Sequence, residues 1–311
     1  MENRRSLPPL VVSRAKSAGA AGERWLERLD DMVSELEGMW DITVGRALSG
    51  GTHALVAYAD GRDGGKYVLK ADMPAEHGGD FEGGVRVMEA AGGRGYARLY
   101  AYDPERRACL MERLGEPLSG LGYPVFEQLR IICSALEQAW EIPAEAAGAE
   151  KGSTDWFREF IPEAWEKLGR PCPHRVIERV YACLEARDRA IDPAGFVLLH
   201  GDAHAGNTLR DGDGFKLIDP DGIFYEKAYD LGVLMREWPE EYEEEPLEKG
   251  RQRCRHLCRL TGVPEKGIWE WGFVQTVSTG LLAVQTGQEE AGWRMLRAAE
   301  AWAQGDGQIY A

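Results

Sequence analysis

Residues 196–236 read FVLLHGDAHAGNTLRDGDGFKLIDPDGIFYEKAYDLGVLMR, and they are the most informative part of the chain. The apolar run 196–199 has the length of a buried strand rather than a helix. Residues 211–214 (DGDG) have hairpin-turn composition, and 215–218 read as a second strand. Oxygen-bearing side chains are therefore expected at the ends of two neighbouring strands, an arrangement suited to holding a metal ion and a phosphate. These side chains are Asp202, Asn207 and Asp219.

Composition and charge restrict the classes of partner. The 311 residues are 44% hydrophobic and 29% charged, which is typical of a soluble globular protein. Acidic residues outnumber basic ones by 52 to 37, giving a net charge of −15. Nucleic acid is not expected as a partner, because its phosphates require basic patches. The charge permits a polycationic small-molecule substrate, although a role in solubility alone also explains it.

The sequence shows no sign of membrane insertion or export. No apolar run approaches the ~20 residues that span a bilayer. The N-terminus lacks the apolar segment of a secretion signal. Six scattered cysteines without an export signal indicate reduced thiols and a cytoplasmic location.

Hydrophobic periodicity predicts two lobes after an N-terminal arm. We expect a poorly ordered arm at residues 1–20, an N-lobe at 21–112 and a C-lobe at 113–311. The N-lobe elements are predicted as a helix at 23–40, strands at 42–44, 53–58 and 66–69, a helix at 80–91, and strands at 98–102 and 108–111. The C-lobe is predicted as helices at 123–140, 155–168, 174–189, 226–238, 247–260, 268–286 and 290–304 around the central stretch.

A glycine-rich turn and a strand lysine form a possible phosphate site in the N-lobe. Ser49, Gly50 and Gly51 lie between two predicted strands, where glycines let backbone N–H groups approach an anion. An ordinary hairpin turn explains the same residues. The chain contains no GxxxxGK[ST] motif, which excludes a Walker-type site. Lys70 follows Gly50 by twenty residues and ends a strand pattern, as does the phosphate-binding lysine of kinases.

Asp202 and Asn207 have the five-residue separation of the aspartate and asparagine in a kinase catalytic loop. That chemistry needs one carboxylate facing the acceptor hydroxyl and one amide oxygen on Mg²⁺. Asp219 would supply the second protein ligand to the metal. A loop of capping Asp and Asn residues is the alternative interpretation.

The segments LLHGDAHAGN, LIDPDG and AYDLG resemble the aminoglycoside phosphotransferase family of antibiotic kinases, whose fold resembles that of protein kinases. Together with WEWGFV at residues 269–274, they resemble its streptomycin 6-kinase-like branch. The resemblance extends from about Trp40 to Gln304. It implies an α+β, bilobal, protein-kinase-like fold with a small antiparallel-sheet N-lobe and a mainly helical C-lobe. The motifs are specific for the reaction class and poorly specific for the acceptor.

The resemblance also implies roles for residues of the reaction centre. Asp202 would be the catalytic base, or at least the group that orients the acceptor hydroxyl. Asn207 and Asp219 would hold Mg²⁺, and Lys70 would bind the phosphates of ATP or GTP.

Further residues would support this centre. The backbone at Glu112 to Leu114 would receive the adenine, His200 would support the catalytic loop, and Asp230 would brace that loop from the following helix.

One position departs from the family pattern. The family places a glutamate in the first N-lobe helix to pair with the strand lysine, and this chain has Gly84 there. Glu82, two residues away, is the expected substitute. If no acid takes the pairing, a nucleotide-binding protein with little catalysis is the alternative function.

Acidic residues after the metal motif are candidates for substrate recognition. Residues 237–249 contain seven glutamates, among them Glu237 and Glu241, and Glu270 lies between two tryptophans. One exposed ion pair contributes only ~0.2–1 kcal/mol, so several would have to act together in a cleft. A solvated acidic surface is the alternative. The expected function is Mg-dependent transfer of a γ-phosphoryl group to a small-molecule hydroxyl, with an aminoglycoside as the expected acceptor. A kinase of an ordinary sugar or amino alcohol is the other possibility.

Overall fold

The computed structural model describes residues 7–49, 53–74 and 81–305. It confirms the α+β, bilobal, kinase-like architecture, with an antiparallel sheet in the N-lobe and a helical C-lobe. The N-lobe elements are α1 (Pro9–Ser17), α2 (Gly19–Trp40), β1 (Ile42–Ala47), β2 (Ala54–Gly61), β3 (Lys66–Asp72), α3 (Phe81–Ala91), β4 (Leu99–Asp103) and β5 (Ala108–Glu112). The five strands are arranged in the order β1-β2-β3-β5-β4.

The two faces of this sheet have different roles, because side chains alternate along each strand. On one face, Leu69 and Ala71 of β3 join the buried cluster formed with α1 and α2. On the other face, Phe81 and Met88 of α3 pack with Cys109 of β5. Lys70 pairs in register with Cys109, so it lies on the α3 face and points towards the cleft between the lobes.

The prediction of a poorly ordered N-terminal arm is wrong for residues 9–17, which form α1. Pro9 begins the helix, where its missing N–H costs nothing. Val11 and Ala15 are fully buried in the N-lobe core. A Cβ on Gly22 of α2 would lie 1.9 Å from the Ala15 oxygen, so the two helices touch backbone to backbone. Two buried residues one turn apart are too short a pattern to reveal such a helix in sequence.

The C-lobe contains the expected helices and several short elements. These are α4 (Val125–Trp140), α5 (Ala144–Ala147), β6 (Glu150–Lys151), α6 (Asp155–Lys167), α7 (His174–Ala190), β7 (Phe196–Leu199), β8 (Thr208–Asp211), β9 (Gly214–Leu217), β10 (Ile223–Glu226), α8 (Ala228–Arg236), α9 (Pro246–Thr261), α10 (Glu265–Gln285) and α11 (Glu289–Gly305). Helix α10 is buried on nearly every side from Gly267 to Ser278 and forms the centre of the lobe. Among the residues described, no helix is long and apolar enough to cross a membrane.

The two strands of the central stretch are not sheet neighbours as expected. Strand β7 pairs with β10, with Leu199 opposite Ile223, while β9 pairs with β8 in a separate hairpin. Strand β10 was not predicted, and the helix expected from Glu226 begins at Ala228. The four residues of β10 are too few for their pattern to stand out before a helix.

The β8–β9 hairpin connects the C-lobe to the N-lobe. Its Leu217 exchanges backbone hydrogen bonds with the segment before β4, donating to Gly95 at 2.8 Å and accepting from Ala97 at 2.9 Å. The Gly115 N–H donates to the Arg210 oxygen at 2.8 Å. The hairpin therefore fixes the lobe junction and holds the polar residues that follow β9.

Candidate active site

The catalytic-loop motif begins directly after β7 and is rigidly held. Gly201 has φ +90°, a conformation that favours glycine, and a Cβ there would lie 2.5 Å from an Asp221 carboxylate oxygen. Gly201 therefore lets the residue-200 loop and the residue-220 loop approach each other. This contact places Asp202 beside the loop that follows β9.

His200 and Asp230 lie beneath this loop, and both are fully buried. His200 Nε2 donates to the Ile218 oxygen at 2.8 Å, while Nδ1 accepts from the Asp202 N–H at 3.1 Å. This pattern is that of a neutral imidazole, and burial lowers the pKa of His200. Asp230 accepts from the backbone N–H groups of His200 and Gly201 at 3.1 and 2.8 Å, and from Trp140 Nε1 at 2.8 Å.

Asp202 is held by cationic and polar neighbours. Its Oδ1 contacts the Arg236 guanidinium, and its Oδ2 lies 3.6 Å from His204 Nε2. Burial alone would raise the pKa of Asp202, but Arg236 and His204 outweigh burial and hold that pKa below its usual value. The side chain retains 41% exposure, so a carboxylate remains accessible to a substrate.

The two predicted metal ligands are brought together by the backbone. The Ile218 N–H donates to the backbone oxygen of Asn207 at 3.0 Å, and Asp219 is the next residue after Ile218. Asn207 Nδ2 donates to the Asp202 oxygen at 3.2 Å, which leaves its amide oxygen available to a cation. Asp219 has φ +59°, an uncommon conformation that aspartate tolerates. One amide oxygen and one carboxylate are hard donors of the kind Mg²⁺ uses when phosphates and water complete its shell.

Lys70 reaches across the cleft to this loop. Its Nζ lies 2.5 Å from Asp219 Oδ1 and 3.2 Å from Asp72 Oδ1. Burial would lower the pKa of Lys70, but the two carboxylates outweigh it and raise that pKa above its usual range. The expectation that Glu82 pairs with Lys70 is wrong. Glu82 is 66% exposed and lies 3.7 Å from Arg86, one turn along α3.

The other residues that were predicted to bind the nucleotide lie after β1 and at the junction between the lobes. Ser49 is an exposed turn residue, whereas Gly50 and Gly51 lie outside the described residues. Glu112 ends β5, and its carboxylate accepts from Lys216 Nζ at 2.8 Å and from the Arg98 N–H at 3.0 Å. Leu114 is partly buried in the connection that follows.

A pocket of about 290 Å³ opens beside Asp202 on the C-lobe side. Trp156, Phe157 and Tyr229 provide aromatic walls, and Arg236 and Asp221 are its other charged residues. Asp221 lines the pocket and keeps part of its surface exposed. Partial desolvation of its carboxyl by the surrounding protein, together with the nearby carboxylates of Asp202 and Asp230, raises the pKa of Asp221 to about 7. Polar groups from α10 complete the lining, namely Gln275, Ser278 and Thr279.

This site has the parts of a kinase centre, and comparison with known proteins agrees. A family described as aminoglycoside/hydroxyurea antibiotic resistance kinase matches residues 40–287. The chain belongs to this family. It is therefore a kinase that acts on small molecules. The family and the enzyme class that were predicted from the sequence are confirmed.

Individual relatives of this antibiotic resistance kinase span most of its length. Streptomycin 6-kinase from Streptomyces glaucescens is 24% identical over 284 residues, covering 90% of this chain and 91% of that protein. Hydroxyurea phosphotransferase from Kitasatospora aureofaciens is 28% identical over 235 residues, covering 71% and 65% respectively. An aminoglycoside phosphotransferase solved with ADP and hygromycin B superposes with a TM-score of 0.60 at 13% identity, covering 87% of this chain and 97% of that one. At 13% identity, the similarity to this solved structure is a similarity of fold.

The three glutamates predicted to bind substrate each lie beside an arginine. Glu270 is 3% exposed, and its carboxylate lies 2.6 Å from Arg187 Nε in the core. Glu241 pairs with Arg253 at 2.8 Å. Glu237 lies 3.7 Å from Arg236 Nε, and none of these three glutamates is among the residues that line the pocket. Glutamates with nearby arginines already have counter-charges, which sequence alone does not show.

Three residues of the candidate site were not identified from the sequence. Arg236 ends the informative stretch, but its contact with Asp202 depends on the helix α8 that follows the loop. Asp72 lies two residues after Lys70, and this spacing on a strand is the one signal that could have identified it. Trp156 on α6 has no local motif and reaches the pocket only through tertiary packing.

Proposed function

We propose that this kinase transfers the γ-phosphoryl group of ATP or GTP, in the presence of Mg²⁺, to a hydroxyl of an aminoglycoside such as streptomycin. The observation that carries the proposal is the position of Asp202. Its carboxylate faces the pocket, while its own backbone oxygen accepts from Asn207, one of the two proposed metal ligands. Acceptor and nucleotide would thus meet at one loop.

Each residue has a role that follows from its surroundings. Asp202 accepts the proton of the acceptor hydroxyl, or orients that hydroxyl for in-line attack. Asn207 and Asp219 would hold Mg²⁺, which would neutralise phosphate charge. Lys70 donates to the nucleotide phosphates, and the connection from Glu112 to Leu114 receives the adenine.

The pocket composition supports an aminoglycoside as acceptor. Aromatic walls from Trp156 and Tyr229 suit the faces of a sugar or cyclitol ring, and the α10 polar groups suit ring hydroxyls. Asp202 and Asp221, which line the pocket, would face substrate ammonium groups in preference to Glu237, Glu241 and Glu270. The volume of about 290 Å³ is at the small end for ligand pockets, so one ring would enter and the others would remain outside. The relative named streptomycin 6-kinase is consistent with this acceptor.

Two organisational features belong to the same proposal. The lobes would divide after Glu112, where β5 ends, with α1 and α2 on the N-lobe side and residues 113–311 forming the C-lobe. All six cysteines are free thiols, which supports a cytoplasmic location.

The proposal is tested by incubating the purified chain with Mg-ATP or Mg-GTP and a panel of acceptors. The panel contains streptomycin, hygromycin B, hydroxyurea, a neutral sugar and an amino alcohol, and mass spectrometry detects the phosphorylated product. We expect repeated turnover on streptomycin that is suppressed by Lys70→Ala. A product only on hydroxyurea or on a neutral metabolite would overturn the aminoglycoside assignment. Nucleotide binding without any phosphorylated product would overturn the proposal that this chain catalyses phosphoryl transfer.

A further inference from the structure

Lys70 and Asp72 form a pair within one strand. They are separated by two positions on β3, so their side chains lie on the same face of the sheet. Lys70 Nζ lies 3.2 Å from Asp72 Oδ1, and the side chains are only 19% and 16% exposed. A charge pair with so little solvent is screened weakly and fixes the ammonium position more firmly than a surface pair would.

Helix α3 cannot supply the carboxylate that the family pattern places there. A Cβ on Gly84 would lie 2.8 Å from the Pro220 backbone oxygen. Gly222 has φ +71°, and a Cβ there would lie 3.1 Å from the Gly83 oxygen. The helix and the loop of Asp219 therefore meet backbone to backbone, without room for a side chain at position 84.

The acids that α3 does carry point away from the lysine. Glu82 is 66% exposed beside Arg86, and Glu89 is exposed. Asp219, the other carboxylate on Lys70, is the one that the proposed function commits to a cation. Once Asp219 is engaged in that way, Asp72 is the lysine partner that remains on the described part of the cleft.

We infer that Asp72 is the residue that positions Lys70 for the nucleotide phosphates, in place of a helix glutamate. This inference rests on the proposed function for its consequence in catalysis. The pairing itself does not depend on which acceptor is phosphorylated. In this arrangement the sheet alone orients the lysine, and α3 instead contacts the loop of Asp219 through its glycines.

The first test measures nucleotide binding without acceptor or turnover. The Kd for Mg-ATP is measured by titration calorimetry. Asp72→Asn removes the carboxylate that holds Lys70 in position for the phosphates, so the Kd should rise about tenfold. Glu82→Gln is the matched control and should leave the Kd unchanged. Equal Kd values in the wild type and Asp72→Asn would overturn the inference, whether or not the protein proves to be a kinase.

The second test measures nucleotide use. Asp72→Asn should raise the nucleotide KM about tenfold, the order expected for losing one charge-assisted hydrogen bond, with the acceptor KM unchanged. Asp72→Glu should recover part of the loss, and Glu82→Gln should behave as wild type. The thermal midpoint of each variant establishes that it is folded. If Glu82→Gln raised the nucleotide KM and Asp72→Asn did not, Glu82 on α3 would be the residue that positions Lys70. Weaker nucleotide binding in Asp72→Asn without phosphotransfer to any acceptor would contradict the proposed function and leave the lysine pairing intact.

Discussion

The guanidinium of Arg236 contacts the carboxylate of Asp202, although 34 positions separate the two residues in the chain. Arg236 also donates to Thr279 Oγ1 at 3.0 Å, which joins the end of α8 to α10. The aspartate is thus positioned by two packed helices as well as by its own loop. Its protonation state depends on this contact, because Arg236 opposes the effect of burial on the pKa of Asp202.

Replacing Arg236 should shift the pH dependence of activity. The proposed reaction uses the Asp202 carboxylate, so activity is lost as pH falls through the pKa of that residue. Arg236→Gln removes the main group that lowers this pKa, and the acidic limb of kcat/KM should move to higher pH, by about 1–3 units for a lost arginine neighbour. Arg255→Gln is the control, because Arg255 pairs with exposed Glu248 at 2.8 Å and is not among the residues that line the pocket. An acidic limb that does not move in Arg236→Gln would show that Arg236 does not set the Asp202 charge.

Asp219→Asn should separate metal-dependent from metal-independent nucleotide binding. The variant keeps the side-chain shape but removes the charge of a proposed Mg²⁺ ligand. Affinity for Mg-ATP should fall about 10–100-fold, the range found even for groups that only support metal ligands. Affinity for ATP in the presence of a chelator should change little, as titration calorimetry can measure. If the affinity for ATP fell equally with Mg²⁺ and with the chelator, Asp219 would act only as the partner of Lys70 and would not bind the metal.

Gly84 should be required for stability in a way that another helical glycine is not. Gly84→Ala places a methyl group 2.8 Å from the Pro220 oxygen, and overpacking of this kind typically costs about 1–3 kcal/mol. Gly38 on α2 has no atom within 4 Å of its Cβ position, so Gly38→Ala should stabilise by about 0.5–1 kcal/mol. Urea unfolding of the two variants measures both effects. Similar changes in the two free energies of unfolding would rule out the close approach of α3 to the Asp219 loop.

Trp140 should stabilise the catalytic loop from below. Its Nε1 donates to fully buried Asp230 at 2.8 Å, and Trp140→Phe leaves that carboxylate with one donor fewer. The free energy of unfolding should fall by about 1–3 kcal/mol, the cost of an unmet buried hydrogen bond. Trp293→Phe, at a tryptophan that is 36% exposed, should change it by less than ~0.5 kcal/mol. Indistinguishable unfolding curves for the two variants would mean that Trp140 adds nothing to the loop.

The reaction class could be predicted from sequence because its motifs are local. Asp202 and Asn207 lie five residues apart on one loop, and Asp219 lies two residues after β9, so short-range spacing already specifies much of their geometry. Strand alternation likewise indicated the sheet that carries Lys70. The resemblance of these motifs to the antibiotic kinase family implied the α+β, bilobal fold, and the structure confirmed it.

The partners of these residues could not be predicted, because packing between distant segments determines them. Arg236 reaches Asp202 through the contact of α8 with the catalytic loop. Glu270 was a candidate for binding the substrate, yet it forms an ion pair with buried Arg187. Helix α1 was missed because its buried stripe consists of Val11 and Ala15 alone. In each case the sequence shows the residue type, and only the fold shows which neighbour it meets.

The most direct test of the account is the effect of Asp202→Asn on turnover and on nucleotide affinity, measured side by side. The substitution keeps the shape of the side chain and removes its basicity. We predict that kcat falls by about 10²–10⁴, the usual range for loss of a general base, while the Kd for Mg-ATP changes little. Asp213→Asn, in the exposed turn between β8 and β9, is the control and should retain wild-type turnover. Wild-type kcat in a folded Asp202→Asn variant would contradict the assignment of this pocket as the active site.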